Sequence, residues 1–357
     1  MTLPIREAVL ASGDYPFTPI EARYKLDQNE AAVDFPAALK ASVTEQLLAT
    51  EWNRYPAYGA HPLVSALAEY ESWPEDGVVV TTGSNVLIAL MIQLASIGGK
   101  VLTTKPNFAL YGLDAKLLES TLIECPLRED LSFDVASTLN EIEKAKAAST
   151  STKGGGVIYL SRPHAPGGAS CPLAEVDQIA QAASDWIVVV DEAYYQYDED
   201  NALALAKKYT NIVIFRTFSK AWGLAGLRLG YALGSAEIIR HLRKLVPPFC
   251  IALPQLITAS TALQNPDYMK AGVSLAVSER ERIYAALQRH PDWHPYPSKA
   301  NFILFRTPDA STAYQQLLAG GVLTRRQDSN FGLEGCLRVS IGTPEANDAF
   351  LRAAGLS

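Results

Sequence analysis

Between Gly77 and Thr217 the chain repeats one pattern five times: a short β-rich run, then a helical or turn-like stretch. VVVTT precedes GSNVLIALMIQLAS, and KVLTT precedes NFALYGLDAKLL. GVIYLS precedes AEVDQIAQAAS, WIVVV precedes DEAYYQY, and NIVIF precedes TFSK. Apolar runs this short, separated by helices, predict parallel strands covered on both faces. The expected class is therefore α/β, with a mostly parallel sheet between two helical layers. Past Pro247-Pro248 the texture changes. Long helical patterns (LITASTALQ, AVSERERIYAALQRH) alternate with the strand-like NFILF and GCLRVSI. The reading is a sparse N-terminal arm over 1–34, a large domain over 35–247 and a smaller α+β domain over 248–357. A length of 357 residues suits one large unit with a lesser one. The polar stretch Glu143–Gly156 reads as a helix end running into a glycine loop.

Composition excludes several function classes. With 48% hydrophobic and 19% charged residues the chain is globular rather than disordered. A net charge of −7 gives no electrostatic case for nucleic acid. The richest apolar stretch, VLIALMIQLASIGG, is interrupted by Gln93 and ends in glycines, so a buried helix is expected and not a membrane span. MTLPIREAVL lacks the layout of a signal peptide. Cys125, Cys171, Cys250 and Cys336 are scattered with no CxxC, which reads as reduced thiols in a cytoplasmic protein. The five histidines are scattered too, so no metal is expected.

In an open parallel sheet, ligands bind outside the carboxyl ends of the strands. The residues that follow each run are therefore the candidates. Gly83-Ser84-Asn85 opens a helix whose first amides suit an anion, although a plain N-cap by Ser84 or Asn85 competes. Phe108 offers a flat ring at a strand end, or is simply core. Asp191 ends a buried strand and needs a partner, either its own turn or a cationic ring nitrogen; Tyr194 follows one turn later. Lys220, after Ser219, is expected to be desolvated and hence nucleophilic. In LRLGYAL the bulky Leu227, Leu229, Tyr231 and Leu233 alternate with Arg228, Gly230 and Ala232. That is strand periodicity, and it puts a guanidinium on a face of small residues, where phosphate fits it.

One ligand answers every candidate. It has a phosphate for Gly83, Ser84, Asn85, Ser219 and Arg228, and a ring nitrogen for Asp191. It has a phenolic oxygen for Tyr194, a flat face for Phe108 and an aldehyde for Lys220. That ligand is pyridoxal 5′-phosphate.

The sequence resembles the fold-type I pyridoxal-phosphate aminotransferases, most closely the histidinol-phosphate aminotransferase family, over nearly its whole length. LDQNE resembles the family's LxxNE, and NRYPAYGAHPL its RYP segment. PNFALYG is similar to PTYxxY, while DEAYYQY and TFSKAWGLAGLRLGY are similar to the DEAY and SKxxxLAGLRxG blocks. The resemblance implies that Lys220, Asp191 and Tyr194 are catalytic. It implies that Tyr55 reaches the cofactor phosphate of a neighbouring subunit, hence a homodimer. Arg325 and Arg338, in TRRQDSNFGLEGCLRVSIG, would hold the substrate's anionic end, with Asn29 nearby. The implied reaction moves an amino group from histidinol phosphate or an aromatic amino acid to a 2-oxo acid such as 2-oxoglutarate. Decarboxylases or lyases acting on threonine phosphate share these parts, as would a non-catalytic cofactor-binding homologue. One position departs from the pattern. Where the family has NNPTG, this chain has SRPHAPGG, and Ala165 replaces the asparagine that bonds the cofactor's phenolic oxygen. His164 stands beside it as a possible substitute.

Overall fold

The computed structural model describes residues 4–13, 19–148 and 155–356. The glycine loop expected after Glu143 falls partly in 149–154, outside the described residues. The first strand, β1 (Tyr24–Lys25), lies in the segment read as a sparse arm. Seven strands then form the central sheet: β2 (Val78–Thr81), β3 (Lys100–Lys105), β4 (Thr121–Pro126), β5 (Gly156–Ser161), β6 (Ile187–Asp191), β7 (Ile212–Thr217) and β8 (Gly230–Leu233). Their spatial order is β2-β8-β7-β6-β5-β3-β4. Every pairing from β7 to β4 is parallel, and only β8 runs against its two neighbours.

The middle positions of the inner strands are largely apolar because both faces are covered. Val78, Val80, Leu102, Ile158, Leu160, Val188, Val190, Ile212 and Ile214 face one core. Val79, Val101, Val157, Tyr159, Val189, Val213 and Phe215 face the other. Each fully buried aliphatic side chain contributes roughly 1.5–3 kcal/mol. The helix Ser84–Ala95 buries Leu87, Ile88, Met91 and Ile92 in the second core, and Leu173–Ala182 buries Val176 and Ile179 in the first. Beneath the sheet's carboxyl edge, the buried guanidinium of Arg216 bridges Glu71, at the end of the helix His61–Glu71, and Glu192. Removing one member would leave a buried charge unpaired.

The strand β4 was not anticipated from the sequence. It is the sheet's edge and is mostly half-exposed, so Thr121 and Glu124 interrupt its apolar pattern. The C-terminal strands are β9 (His294–Pro295), β10 (Phe302–Arg306), β11 (Val322–Leu323), β12 (Arg325–Arg326) and β13 (Cys336–Ser340). Four of them form an antiparallel sheet in the order β12-β13-β10-β9. The fifth, β11, pairs in parallel with β1, which ties the N-terminal segment to this unit and carries Asn29 inward. Among the described residues no helix is long and apolar enough to cross a membrane.

Candidate active site at the carboxyl edge of the sheet

The anion cradle is built from two loops. Gly83, at φ 94°, caps the helix Ser84–Ala95, and no side chain caps that helix. The amides that Ser84 or Asn85 was expected to satisfy therefore keep their donors for a ligand. Arg228 lies directly over Gly83: a Cβ there would sit 2.9 Å from its Nη2. Its Nη1 also lies 3.4 Å from Ser219 Oγ. At Gly230 a Cβ would meet the Ser84 nitrogen at 2.2 Å, so the two loops can approach only because residue 230 is glycine.

The strand reading of Arg228 needs correction. β8 begins at Gly230, and Arg228 follows a single 3₁₀ turn, Ala225–Leu227, in left-handed backbone at φ 51°. Its side chain is exposed, not buried. The alternation of bulky and small residues belongs to the strand only from Gly230 onward. Before it, Gln255 Nε2 donates to the carbonyls of Leu227 and Arg228 and holds the turn.

Lys220 follows β7 by three residues, across a turn in which Ser219 N donates to Thr217 Oγ1. Its Nζ donates to the Gln28 carbonyl at 2.8 Å and lies 5.7 Å from the centre of the Tyr194 ring. Burial pushes the amine down to about 7, helped by the positive charges of Arg338 and Arg228. Such an amine is substantially neutral, hence nucleophilic, at physiological pH.

Asp191 closes β6 and is 7% exposed. Burial raises its carboxyl to about 6, opposed by a hydrogen bond from Tyr111 Oη (2.8 Å to Oδ2) and one from the Ala193 amide (3.2 Å to Oδ1). The Tyr194 hydroxyl accepts from Asn29 Nδ2 at 2.9 Å, which leaves its own proton to donate. Ser340 Oγ donates to Asn29 Oδ1 at 3.1 Å, and this orients the amide. Asn29, expected among substrate residues, thus orients Tyr194. Phe108 caps the helix Ala109–Leu117 and meets Tyr111 edge-on at 5.7 Å.

Arg325 and Arg338 are directly paired across β12 and β13. Like charges placed opposite each other on a sheet are unfavourable, and an anion between them relieves that. Arg338 Nη2 donates to the Asp27 carbonyl at 2.9 Å, and the guanidinium carbon lies 5.2 Å from the Phe302 ring centre. Phe302 in turn packs edge-on against Tyr194 at 5.3 Å. Tyr55 is not in this cluster. It is 82% exposed and stacks on Phe249 at 4.9 Å.

His164 cannot stand in for the missing asparagine. Its Nδ1 accepts from the Gly167 amide at 3.1 Å, so the proton sits on Nε2, which faces the Pro106 carbonyl at 3.1 Å. Both nitrogens are committed, and burial pushes the ring down to about 4. Ala165 is buried and its methyl offers no donor.

Tyr111, Ser340 and the Gln28 carbonyl were not anticipated as parts of this cluster. Only the position of Tyr111 one turn after Phe108 hinted at it.

The family model for class I and II aminotransferases matches residues 10–353. A histidinol-phosphate aminotransferase of Deinococcus radiodurans is 46% identical over 351 residues, 98% of this chain and 95% of that protein. One from Thermococcus kodakarensis is 36% identical over 95% of this chain and 94% of its own length. The fold superposes with TM-score 0.87 on the crystal structure of the Sinorhizobium meliloti histidinol-phosphate aminotransferase in complex with pyridoxal-5′-phosphate, at 22% identity, covering 99% of this chain and 97% of that one. With the lysine, the buried carboxylate and the anion cradle at one sheet edge, these matches establish that the chain belongs to the class I and II aminotransferases, within the histidinol-phosphate aminotransferase family.

Proposed function

We propose that this aminotransferase moves the amino group of histidinol phosphate to 2-oxoglutarate. The observation that carries the reading is Lys220: a partly buried, near-neutral amine one residue from the Ser219–Arg228 cradle and facing Tyr194. The residues suit pyridoxal phosphate. Gly83 and Gly230 keep open a cradle that a Cβ would fill, and Asp191 is a buried carboxylate that enters no ion pair among the described residues. When bound, that cofactor supplies an aldehyde that captures amines and a ring that accepts an electron pair.

In this reading the Ser84 and Asn85 amides, Ser219 and Arg228 hold the phosphate. Asp191 keeps the ring nitrogen protonated, Tyr194 donates to the phenolic oxygen, and Phe108 covers a ring face. Lys220 Nζ would hold the cofactor's aldehyde carbon and would be the group placed to move the proton of the substrate's α-carbon. Arg325 and Arg338 take the substrate's phosphate and, in the second half of the cycle, a carboxylate of the 2-oxo acid. The segment 35–247 would then carry the cofactor, and 248–357 the substrate's anionic end. Steady-state kinetics with histidinol phosphate and 2-oxoglutarate test this. Parallel double-reciprocal lines are expected. Release of carbon dioxide without any need for a 2-oxo acid would instead assign a lyase.

Ala165 yields a further expectation. Without an asparagine donor, a bound cofactor's phenolic oxygen would be more basic, and a cofactor held on Lys220 would keep its proton more tightly. The visible-absorbance pKa of the wild type should lie about one unit above that of Ala165→Asn, the scale of one charge-assisted hydrogen bond. An equal or lower value would refute it.

The homodimer is part of the same proposal. Leu48, Trp52, Tyr55, Tyr58 and Phe249 are all exposed, and Phe249 contacts both tyrosines. An apolar aromatic patch of this kind is suited to burial against a second copy, which would bring Tyr55 to the neighbour's cofactor. Sedimentation at the mass of one 38.7 kDa chain would argue against it. The scattered cysteines and the acidic composition fit a cytoplasmic enzyme; recovery in the membrane fraction would not.

A further inference from the structure

We propose that Tyr111 is a positioning residue: its hydroxyl holds the Asp191 carboxylate as an anion in the orientation that receives the cofactor's ring nitrogen. The inference rests on the cofactor reading above. A carboxylate buried at a strand end is stable as an anion only if donors or a cation replace water. Among the described residues Asp191 has two donors and no ion-pair partner. One is the Ala193 amide of its own turn. The other comes from a different element, the helix Ala109–Leu117, and so fixes where the carboxylate points.

Tyr111 is itself held rigidly. It is 1% exposed, and its ring lies parallel to that of Tyr159 at 4.8 Å and 7°. Tyr159 Oη is anchored on the Ile88 carbonyl at 2.8 Å. The stack cannot slide without breaking that bond, so the Tyr111 hydroxyl stays on Asp191 Oδ2. The other titratable groups facing Asp191 are Tyr159 from β5, Tyr194 from the following turn, and the adjacent Glu192, which Arg216 neutralises. Of these side chains, only Tyr111 donates a hydrogen bond to the carboxylate. Without that donor the anion is less stable, so Asp191 takes a proton at higher pH and its pairing with the ring nitrogen weakens.

The test compares Tyr111→Phe with Tyr159→Phe in the holoenzyme. Both keep the stacked rings and lose one buried hydroxyl, but only the first hydroxyl touches Asp191. For Tyr111→Phe the expected result is an acid limb of kcat/KM moved up by about one pH unit. It should also show kcat lowered about tenfold at neutral pH with KM little changed, and roughly tenfold weaker binding of pyridoxal phosphate by the apoenzyme, followed by tryptophan fluorescence. Tyr159→Phe should leave the acid limb and the cofactor affinity where they are. An unmoved acid limb and affinity in Tyr111→Phe would overturn the proposal, as would equal shifts in both variants. Asp191→Ala separates the levels. If it too keeps wild-type affinity and rate, the cofactor reading itself fails; if it loses both while Tyr111→Phe is silent, only the role of Tyr111 fails.

Discussion

Lys220→Ala is expected to abolish turnover, by at least about 10⁴-fold, because in the proposed reading one amine would serve both as attachment point and as proton carrier. The surroundings of the side chain suit both roles. Burial and the nearby guanidinium groups of Arg338 and Arg228 hold its amine near neutrality, and the Gln28 carbonyl aims it. The phosphate cradle does not include this side chain: Gly83, Ser219 and Arg228 remain. The variant should therefore still bind pyridoxal phosphate, reversibly and without the visible band of a covalent lysine linkage. Equilibrium dialysis with absorbance spectra separates the two losses. Turnover at the wild-type rate would remove Lys220 from the chemistry; loss of all cofactor binding would mean the cradle was misread.

Arg338→Ala should lower kcat/KM for histidinol phosphate by roughly 10²–10³-fold, the scale of truncating one member of a partly buried charge pair. Its position opposite Arg325 makes the effect directional. Two arginines at paired positions of β12 and β13 put two positive charges in one region, which suits a dianion, so the phosphorylated substrate should suffer more than the singly charged end of a neutral-side-chain amino acid. Arg325→Ala should follow the same ranking with a smaller loss. Cofactor affinity should not change in either variant, because the cradle lies on other loops. A uniform loss across all amino donors would point to misfolding of the C-terminal sheet, and an unchanged kcat/KM would remove Arg338 from substrate binding.

Strand ends were legible because physics marks them. A polar residue directly after a fully buried run, as in Asp191 after WIVVV or Lys220 after NIVIF and its turn, must meet something at the carboxyl edge of the sheet. The helices after β2 and β3 and the two-faced burial were visible in the same periodicity. What escaped was what depends on register and tertiary contact. Arg228 mimicked a strand residue because alternation in LRLGYAL continues backward across a turn held by Gln255, a residue 27 positions away. The edge strand β4 carries polar residues that no apolar pattern reveals. The facing of Arg325 and Arg338 exists only through the pairing of β12 with β13. The Tyr111–Asp191 bond spans 80 residues, and Asn29 reaches Tyr194 across 165. The neutrality of His164 is likewise tertiary: it is set by burial, against the Pro106 carbonyl of another loop, which favours the proton.

The most direct measurement reduces the purified holoenzyme with borohydride, which fixes the cofactor to whatever amine carries it, and maps the modified peptide by mass spectrometry. The account predicts a single phosphopyridoxyl group on Lys220, absent in Lys220→Ala. A label on a different lysine, or none at any lysine of a yellow, active enzyme, would contradict it.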